Sequence, residues 1–202
     1  MEKRNYLLQK TSGKNAVIIK LDPDVFYELL DKKINFVRNK YARIHINGKD
    51  IALSRYILKL RPGQGIVDHI NRDPKDNRRT NLRMVDLAKN NLNRSKNKTA
   101  AIGFYGVRIH RRGKNCYIQA QLKIKNFYDK SFNCRYCPEG ILLAALARDK
   151  MVVESGQEDY APMNFPFFRI EVYKRMLLET DLYELKRKIL IKNPGARIQE
   201  TV

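Results

Sequence analysis

Between Ile66 and Asn93 the chain reads as strand, loop, strand and helix in about thirty residues, with a histidine, an acid and several asparagines at the joints. The β-branched start Ile66-Val67 makes Asp68 and His69 the end of a short strand. Residues 71–80 are dense in Asp, Asn and Arg with one Pro, the composition of a loop. Asn81 to Val85 reads as a second strand, and Asp86 as the N-cap of a helix carrying Leu87, Lys89, Asn90 and Asn93.

Neighbouring side chains inside a strand point to opposite faces. At a strand end both Asp68 and His69 can reach one cleft rim. Asn90 on the helix could then meet Asp68 across a divalent cation, because carboxylate and amide oxygens are ligands that magnesium accepts. Asn81 could present its carbonyl to the ring N–H of His69, fixing the tautomer that leaves the other nitrogen as a base. A metal-bound phosphate beside an oriented imidazole is the minimum kit for hydrolysing a phosphodiester. An Asp-His pair taken alone is more often structural than catalytic; the spacing of the whole set is what gives it weight.

Asp68-His69, Asp76-Asn77-Arg78, Asn81-Leu82-Arg83, Asn90-Asn91 and Asn93-Arg94 together closely resemble the HNH (His-Me finger) endonucleases of the phage and homing type over residues 66–94. In that ββα-metal pattern the second polar residue stands twelve positions after the histidine and the third twenty-one, which here are Asn81 and Asn90. The resemblance implies His69 as general base, Asn81 as its orienting partner, and Asp68 and Asn90 holding one Mg2+ (or Mn2+) ion per active site. It also implies products with a 5′-phosphate and a 3′-hydroxyl. Arg78, Arg79, Arg83 and Lys89 flank the motif and are the nearest candidates to clamp the scissile phosphate; exposed loop charge is the plainer alternative.

Charge supports an anionic partner. Lys and Arg number 41 against 21 Asp and Glu, a formal +20 in 202 residues with pI near 10. Such an excess predicts binding to polyphosphate, nucleic acid first. A membrane surface is the rival, yet the longest apolar run, Ile141 to Ala147, is far short of a span, so no membrane is expected. The start Met1-Glu2-Lys3-Arg4 lacks the apolar core of a secretory signal. Three cysteines argue for a reducing, cytoplasmic compartment rather than a disulfide framework.

Ahead of the motif, residues 1–12 read as a frayed basic start and 15–20 as a strand. Asp22-Pro23-Asp24 reads as a cap for a short helix with Phe26, Leu29 and Leu30 on its packed side. Residues 34–37 and 41–46 alternate like half-buried strands, and Asn47-Gly48 signals a hairpin. His45 on that hairpin is read as surface or DNA-facing. A further helix starts at Ser54 and ends before Arg61-Pro62-Gly63. This front half resembles the region that precedes the motif in phage members of the family. Behind the motif, Arg94 and Lys96 belong to a polar basic segment expected to track a phosphate backbone.

A second domain begins near Ala101. Tyr105 to Gly113 reads as a strand and basic turn. Tyr117 to Ile124 alternates cleanly, with Ile118, Ala120, Leu122 and Ile124 facing one way and Tyr117, Gln119, Gln121 and Lys123 the other. Lys125-Asn126 turns into a third strand, Phe127 to Phe132. A helix from Pro138 then offers Leu142, Leu143, Ala145, Leu146, Arg148, Met151, Val152 and Val153 as a wide face. Such a sheet leaves a polar face free, suited to a major groove. Tyr105-Gly106-Val107-Arg108, Ala120-Gln121-Leu122, Ala144 to Val153 and Met163-Asn164-Phe165-Pro166 resemble the plant apetala-type DNA-binding domain found fused to phage HNH nucleases. The resemblance puts Arg108, His110, Arg112, Gln121 and Lys123 on DNA-facing strand positions; clustering adds Arg111 and the paired amides add Gln119. The chain has no Trp, so contacts usual in that family are absent.

Cys134 and Cys137 form a CxxC that, with Cys116 and His110, supplies a four-ligand zinc hypothesis; buried reduced cysteines are the alternative. Residues 167–190 read as one or two amphipathic helices, broken near 179–181, that pack on the body, bind backbone or make a homodimer.

The expected fold class is α+β: a ββα-metal motif within an N-terminal α+β domain (1–94), a basic linker (95–100), a three-stranded antiparallel sheet packed on one helix (101–166) and C-terminal helices (167–202). The expected activity is sequence-preferring, metal-dependent cleavage of double-stranded DNA with no small-molecule cofactor. A DNA-binding regulator with an inactive motif and an RNA-binding protein acting by charge alone are the alternatives.

Overall fold

A computed structural model describes residues 6–12, 15–38, 40–93, 102–113 and 115–192. Two compact units divide the chain, 1–93 and 94–202.

In the first unit β1 (Tyr6–Ser12) pairs antiparallel with β2 (Asn15–Leu21), from Tyr6 opposite Leu21 to Ser12 opposite Asn15. Residues 6–12 are therefore a strand and not a frayed start: the neighbouring strand satisfies a backbone that propensity alone leaves open. Along β2, Val17, Ile19 and Leu21 are buried while Ile18 is half exposed, the period of two expected of a half-buried strand.

Helix α1 (Pro23–Leu29) follows, with Pro23 in its first turn, where a missing N–H costs nothing. Asp22 sits at its N-cap position without capping it; its carboxylate is turned toward Arg79 instead. Next come β3 (Ile34–Val37), β4 (Tyr41–Ile46) and β5 (Lys49–Ala52), a meander in the order β3-β4-β5. Asn47 and Gly48 join β4 to β5 with φ of 49° and 74°, the paired positive angles of a type I′ turn.

Helix α2 (Leu53–Ile57) closes this layer. Its Arg55 donates to the carbonyls of Arg61, Gln64 and Gly65 at 2.6–3.0 Å, folding the loop that delivers the chain to the motif. Ile19, Leu21, Val25, Leu29, Ile44 and Leu53 make the core, and Leu82 of the motif is packed into it.

The segment then runs β6 (Ile66–His69), a loop, a short 3-10 turn (Arg79–Asn81), β7 (Leu82–Val85) and α3 (Leu87–Leu92), with β6 and β7 antiparallel; Asn81 lies in the turn and not in the second strand, and Asn93 lies just past the helix. Asp86 caps α3, accepting from Lys89 N at 2.8 Å.

In the second unit β8 (Val107–Arg112), β9 (Asn115–Ile124) and β10 (Tyr128–Arg135) form an antiparallel sheet in the order β10-β9-β8. The third strand runs three residues past Phe132, because Cys134 also pairs inward against Ile118. Helix α4 (Pro138–Glu154) packs across Ile118, Ala120 and Leu122 through Leu143, Ala144, Ala147, Met151 and Val152. Leu142, expected in that face, is 54% exposed: the buried side runs through Leu143, Ala144, Ala147, Met151 and Val152 and lies off its position.

Helices α5 (Glu171–Glu179) and α6 (Leu182–Lys192) both pack on α4, so they are part of this unit. Lys150 of α4 donates to Leu178 O and Thr180 O at 2.8 Å each, satisfying carbonyls at the end of α5. Among the described residues no helix is long and apolar enough to cross a membrane.

Candidate active site

The loop between β6 and β7 is held at both ends and at its middle. Lys20 N donates to Lys75 O and Asn77 N to Lys20 O, both 2.9 Å, so the loop lies along the edge of β2. Asp76 is fully buried and takes the guanidinium fork of Arg78, Nε to Oδ1 at 2.7 Å and Nη2 to Oδ2 at 2.5 Å. That fork holds the Asp76 carboxyl below its ordinary range, against the opposing effect of burial. Asn71 Nδ2 adds a third donor at 3.0 Å.

Asn81 is buried inside this loop. Its Nδ2 donates to Asp76 O at 2.7 Å and Asn71 Oδ1 at 3.0 Å, while its Oδ1 accepts from Asn71 N at 3.0 Å. Every polar atom of that amide is engaged by the loop, so the contact expected between Asn81 and the imidazole is not made. Its backbone carbonyl accepts from Ile70 N at 2.9 Å. Asn81 thus fixes the chain that follows His69 and not the ring.

The residue at the ring is Asn77, whose Oδ1 lies 3.4 Å from His69 Nε2. Asn77 Nδ2 donates to Pro74 O at 3.1 Å, which turns the amide oxygen toward the ring. An oxygen there accepts, so Nε2 carries the proton and Nδ1 is left with a lone pair. Burial pushes the His69 pKa below the ordinary 6.5, partly offset by Asn77 and by the carboxylates of Asp68, Asp73 and Asp76. Burial thus favours the neutral ring, the form a general base requires. The stretch Asp76-Asn77-Arg78 carried this in the sequence, but nothing in the spacing said which of the loop amides turns toward the ring.

Asp68 is 7% exposed and lies opposite Arg83 across the hairpin. Arg83 Nε donates to Asp68 Oδ2 at 2.9 Å. Asn93, just past the end of α3, donates its Nδ2 to both Asp68 oxygens at 2.9 and 3.0 Å and to His69 O at 2.8 Å. Asn93 thus reaches the strand end directly, whereas Asn90 is expected to meet Asp68 only across a cation. Asn90 is half-buried one turn earlier, at i and i−3 on the same side of the helix.

The donor set suits a hard divalent cation. Asp68 Oδ1 accepts from Asn93, a carboxylate oxygen has capacity beyond one donor, and the amide oxygen of Asn90 is of the type such ions take. Among the described residues no three His, Cys, Asp or Glu side chains are grouped to hold a metal.

The four flanking cations are all ion-paired. Arg78 is locked on Asp76; Arg79 forks onto Asp24 at 2.7 and 2.8 Å and donates its backbone N–H to Asp22; Arg83 holds Asp68; Lys89 lies 3.8 Å from Asp86. These four are therefore not free cations awaiting a phosphate, because acids on α1, β6, the loop and the α3 N-cap already face them. Arg94 and Lys96 lie outside the described residues.

On the second unit the strand register sorts the remaining candidates. Arg108 stands opposite Gln119, itself opposite Asn133; His110 stands opposite Tyr117, itself opposite Arg135. Gln121 pairs with Ser131 and Lys123 with Asp129, on the same face. The His110 and Tyr117 rings are stacked, centroids 5.1 Å apart at 11°. Lys123 Nζ lies 2.8 Å from Asp129.

Arg111 is a correction: it alternates with Val107 and Ile109 and sits opposite Cys116, on the other face of the sheet from Arg108 and His110. Arg112 continues the Arg108 row by register. The same alternation sets His110 on the opposite face from Cys116 and Cys134, which removes it as a fourth zinc ligand. Cys137 instead caps α4, its sulfur accepting from Gly140 N at 3.3 Å, and Cys134 donates to Gly140 O at 2.9 Å.

Residues 61–92 match the HNH endonuclease family, the segment that contains Asp68, His69, Asn77, Asn81, Arg83 and Asn90. No curated protein and no solved structure matches the chain.

Proposed function

We propose that the chain is a divalent-metal-dependent DNA endonuclease of the phage or homing type, in which the first unit cuts and the second holds the duplex. The observation that carries this reading is that Asp68 and His69, its ring against Asn77, lie together at one strand end within the HNH endonuclease match, with Asn93 bonded to Asp68 from the end of α3. His69 Nδ1 takes the proton of the attacking water, while Asn77 holds the ring and Asn81 holds the loop. Asp68 and Asn90 are the residues that would hold a single Mg2+ or Mn2+ ion, which when bound supplies Lewis-acid stabilisation of the charge that builds on the phosphate and the leaving 3′ oxygen.

The second unit is read as an apetala-type domain whose polar sheet face enters a groove of double-stranded DNA. Arg108, Gln119 and Gln121 supply donors along that face, and Asn133 and Arg135 extend it. The formal charge of +20 supplies the salt-dependent, sequence-independent part of affinity.

Incubation of supercoiled plasmid with Mg2+, with Mn2+ and with chelator, beside His69→Ala, tests the reading. Metal-dependent nicking or linearisation that the variant loses by about 10²–10⁴-fold, with DNA binding retained, supports it. Binding without conversion under either metal supports the regulator alternative instead, in which the Arg83–Asp68 pair is a fixed structural contact.

A further inference from the structure

The carboxylate assigned to the metal already has a cation on it. Arg83 and Asp68 are directly opposed on β7 and β6, with Arg83 Nη2 2.7 Å from Asp68 Oδ2 and side-chain exposures of only 17% and 8%. A pair so withdrawn from solvent is weakly screened by salt. A divalent ion arriving at Oδ1 meets a carboxylate whose charge is compensated, with a guanidinium close enough to repel it.

We infer that Arg83 is an exchangeable counter-cation: a backbone phosphate of the DNA draws it off Asp68, and the divalent ion then binds tightly, so that metal and substrate load together. The inference rests on the nuclease reading above. The guanidinium reaches Asp68 through one oxygen, Oδ2, from both Nε and Nη2, whereas a phosphate offers two oxygens that match the fork, so the phosphate competes well for Arg83. Asn93 holds Asp68 in place through the exchange, since its amide bonds both carboxylate oxygens and the His69 carbonyl at once. Coupling between two ligands is reciprocal: if DNA tightens the metal, the metal tightens DNA by the same factor. The device keeps the enzyme poorly loaded, and so inert, away from DNA.

The test uses the full chain in a His69→Ala background, which prevents cutting. Mn2+ binding is followed from the electron paramagnetic resonance signal of the free ion, with and without a short DNA duplex. Arg83→Gln is expected to bind Mn2+ about tenfold tighter than its parent in the absence of DNA. The duplex is expected to tighten Mn2+ about tenfold in the parent and little in Arg83→Gln. Equal tightening in both would mean that phosphate ligation alone couples the two, and would overturn the inference, as would an Arg83→Gln affinity unchanged without DNA.

Circular dichroism checks the fold of each variant. If Arg83→Gln does not fold, Arg83→Lys serves: it keeps a charge on Asp68 but loses the fork, so it should bind Mn2+ tighter than the parent without DNA and retain part of the coupling. A parent-like Mn2+ affinity in Arg83→Lys would count against the exchange. Asp68→Asn separates the two readings. Mn2+ binding indifferent to Asp68 removes the metal assignment itself, whereas Asp68-dependent binding that ignores Arg83 removes only the exchange.

Discussion

Asn77 Oδ1 stands 3.4 Å from His69 Nε2, on an amide that is 2% exposed and anchored at both its side-chain and backbone nitrogens. This contact decides which imidazole nitrogen is the base, and it opposes the fall in pKa that burial imposes. Removing the acceptor with Asn77→Ala should lower the pKa further and move the acid limb of the pH–rate profile to lower pH. The plateau rate should also fall, about tenfold, as the ring loses its orientation. Asn77→Asp sets a negative charge against the ring and should move the acid limb the other way, toward or above 6.5. Plasmid nicking followed across that pH range reads both shifts. Two variants with the wild-type acid limb would remove Asn77 from the site.

The sheet register makes a sharp distinction between neighbouring arginines. Arg108 lies in the polar row with Gln119, whereas Arg111 falls on the opposite face. At matched salt, Arg108→Ala should weaken duplex binding by several fold and reduce the slope of log affinity against log salt by about 0.9, the loss of one phosphate contact. Arg111→Ala should change neither by a measurable amount. Arg79→Ala belongs with Arg111, because two aspartates already hold that side chain. Fluorescence anisotropy across a salt series would show the ordering, and equal losses at 108 and 111 would contradict the groove-facing assignment.

Local signals in the sequence were enough for the hairpin, the loop and the capped helix of the motif, since strand ends, Asx-rich turns and an Asp N-cap are all short-range devices. The same holds for the inward row Ile118, Ala120, Leu122 and Ile124, where period two is unbroken. What escaped is long-range. Residues 6–12 carry no strand signal strong enough to stand without β2 beside them. Asp22 looks like a cap for its own helix, yet its carboxylate accepts from Arg79 N, 57 positions away. The loop arginines look available because the acids that neutralise them are distant in sequence or turned inward by the fold. Choosing Asn77 over Asn81 at the imidazole depends on a loop conformation that spacing does not encode.

Gly106 should tolerate no side chain. Its φ is +64°, and a Cβ there would stand 2.8 Å from Gln121 O and 2.5 Å from Arg148 Nε. Gln121 is held in the sheet opposite Ser131 and its N–H donates to Gly106 O at 2.8 Å, and Arg148 is itself buried, so neither neighbour can give way cheaply. Gly106→Ala is expected to cost about 2 kcal/mol from backbone strain together with the clash. Urea unfolding measures it, and a loss below about 0.5 kcal/mol would show that the turn relaxes.

Asp149 closes the second unit. Fully buried on α4, it accepts from Asn164 N at 2.9 Å and Phe165 N at 2.7 Å, and Asn164 Oδ1 in turn accepts from Tyr105 N at the entry to the sheet. Burial pushes its carboxyl up to about 6, opposed by those two N–H groups and by Arg148. The folded pKa lies above the ordinary 3.8, so between these values the folded chain binds more protons than the unfolded one. Stability contributed by this group is then fully present below 3.8 and declines as pH rises toward about 6. Asp149→Asn should be less stable throughout, by about 1–3 kcal/mol, because one amide oxygen cannot replace two carboxylate acceptors. It cannot titrate, however, so the gap between wild type and variant should narrow as pH is raised through that window. Urea unfolding on either side of the window measures the gap. If it widens with pH instead, the backbone N–H groups outweigh burial and the carboxyl is an anion throughout.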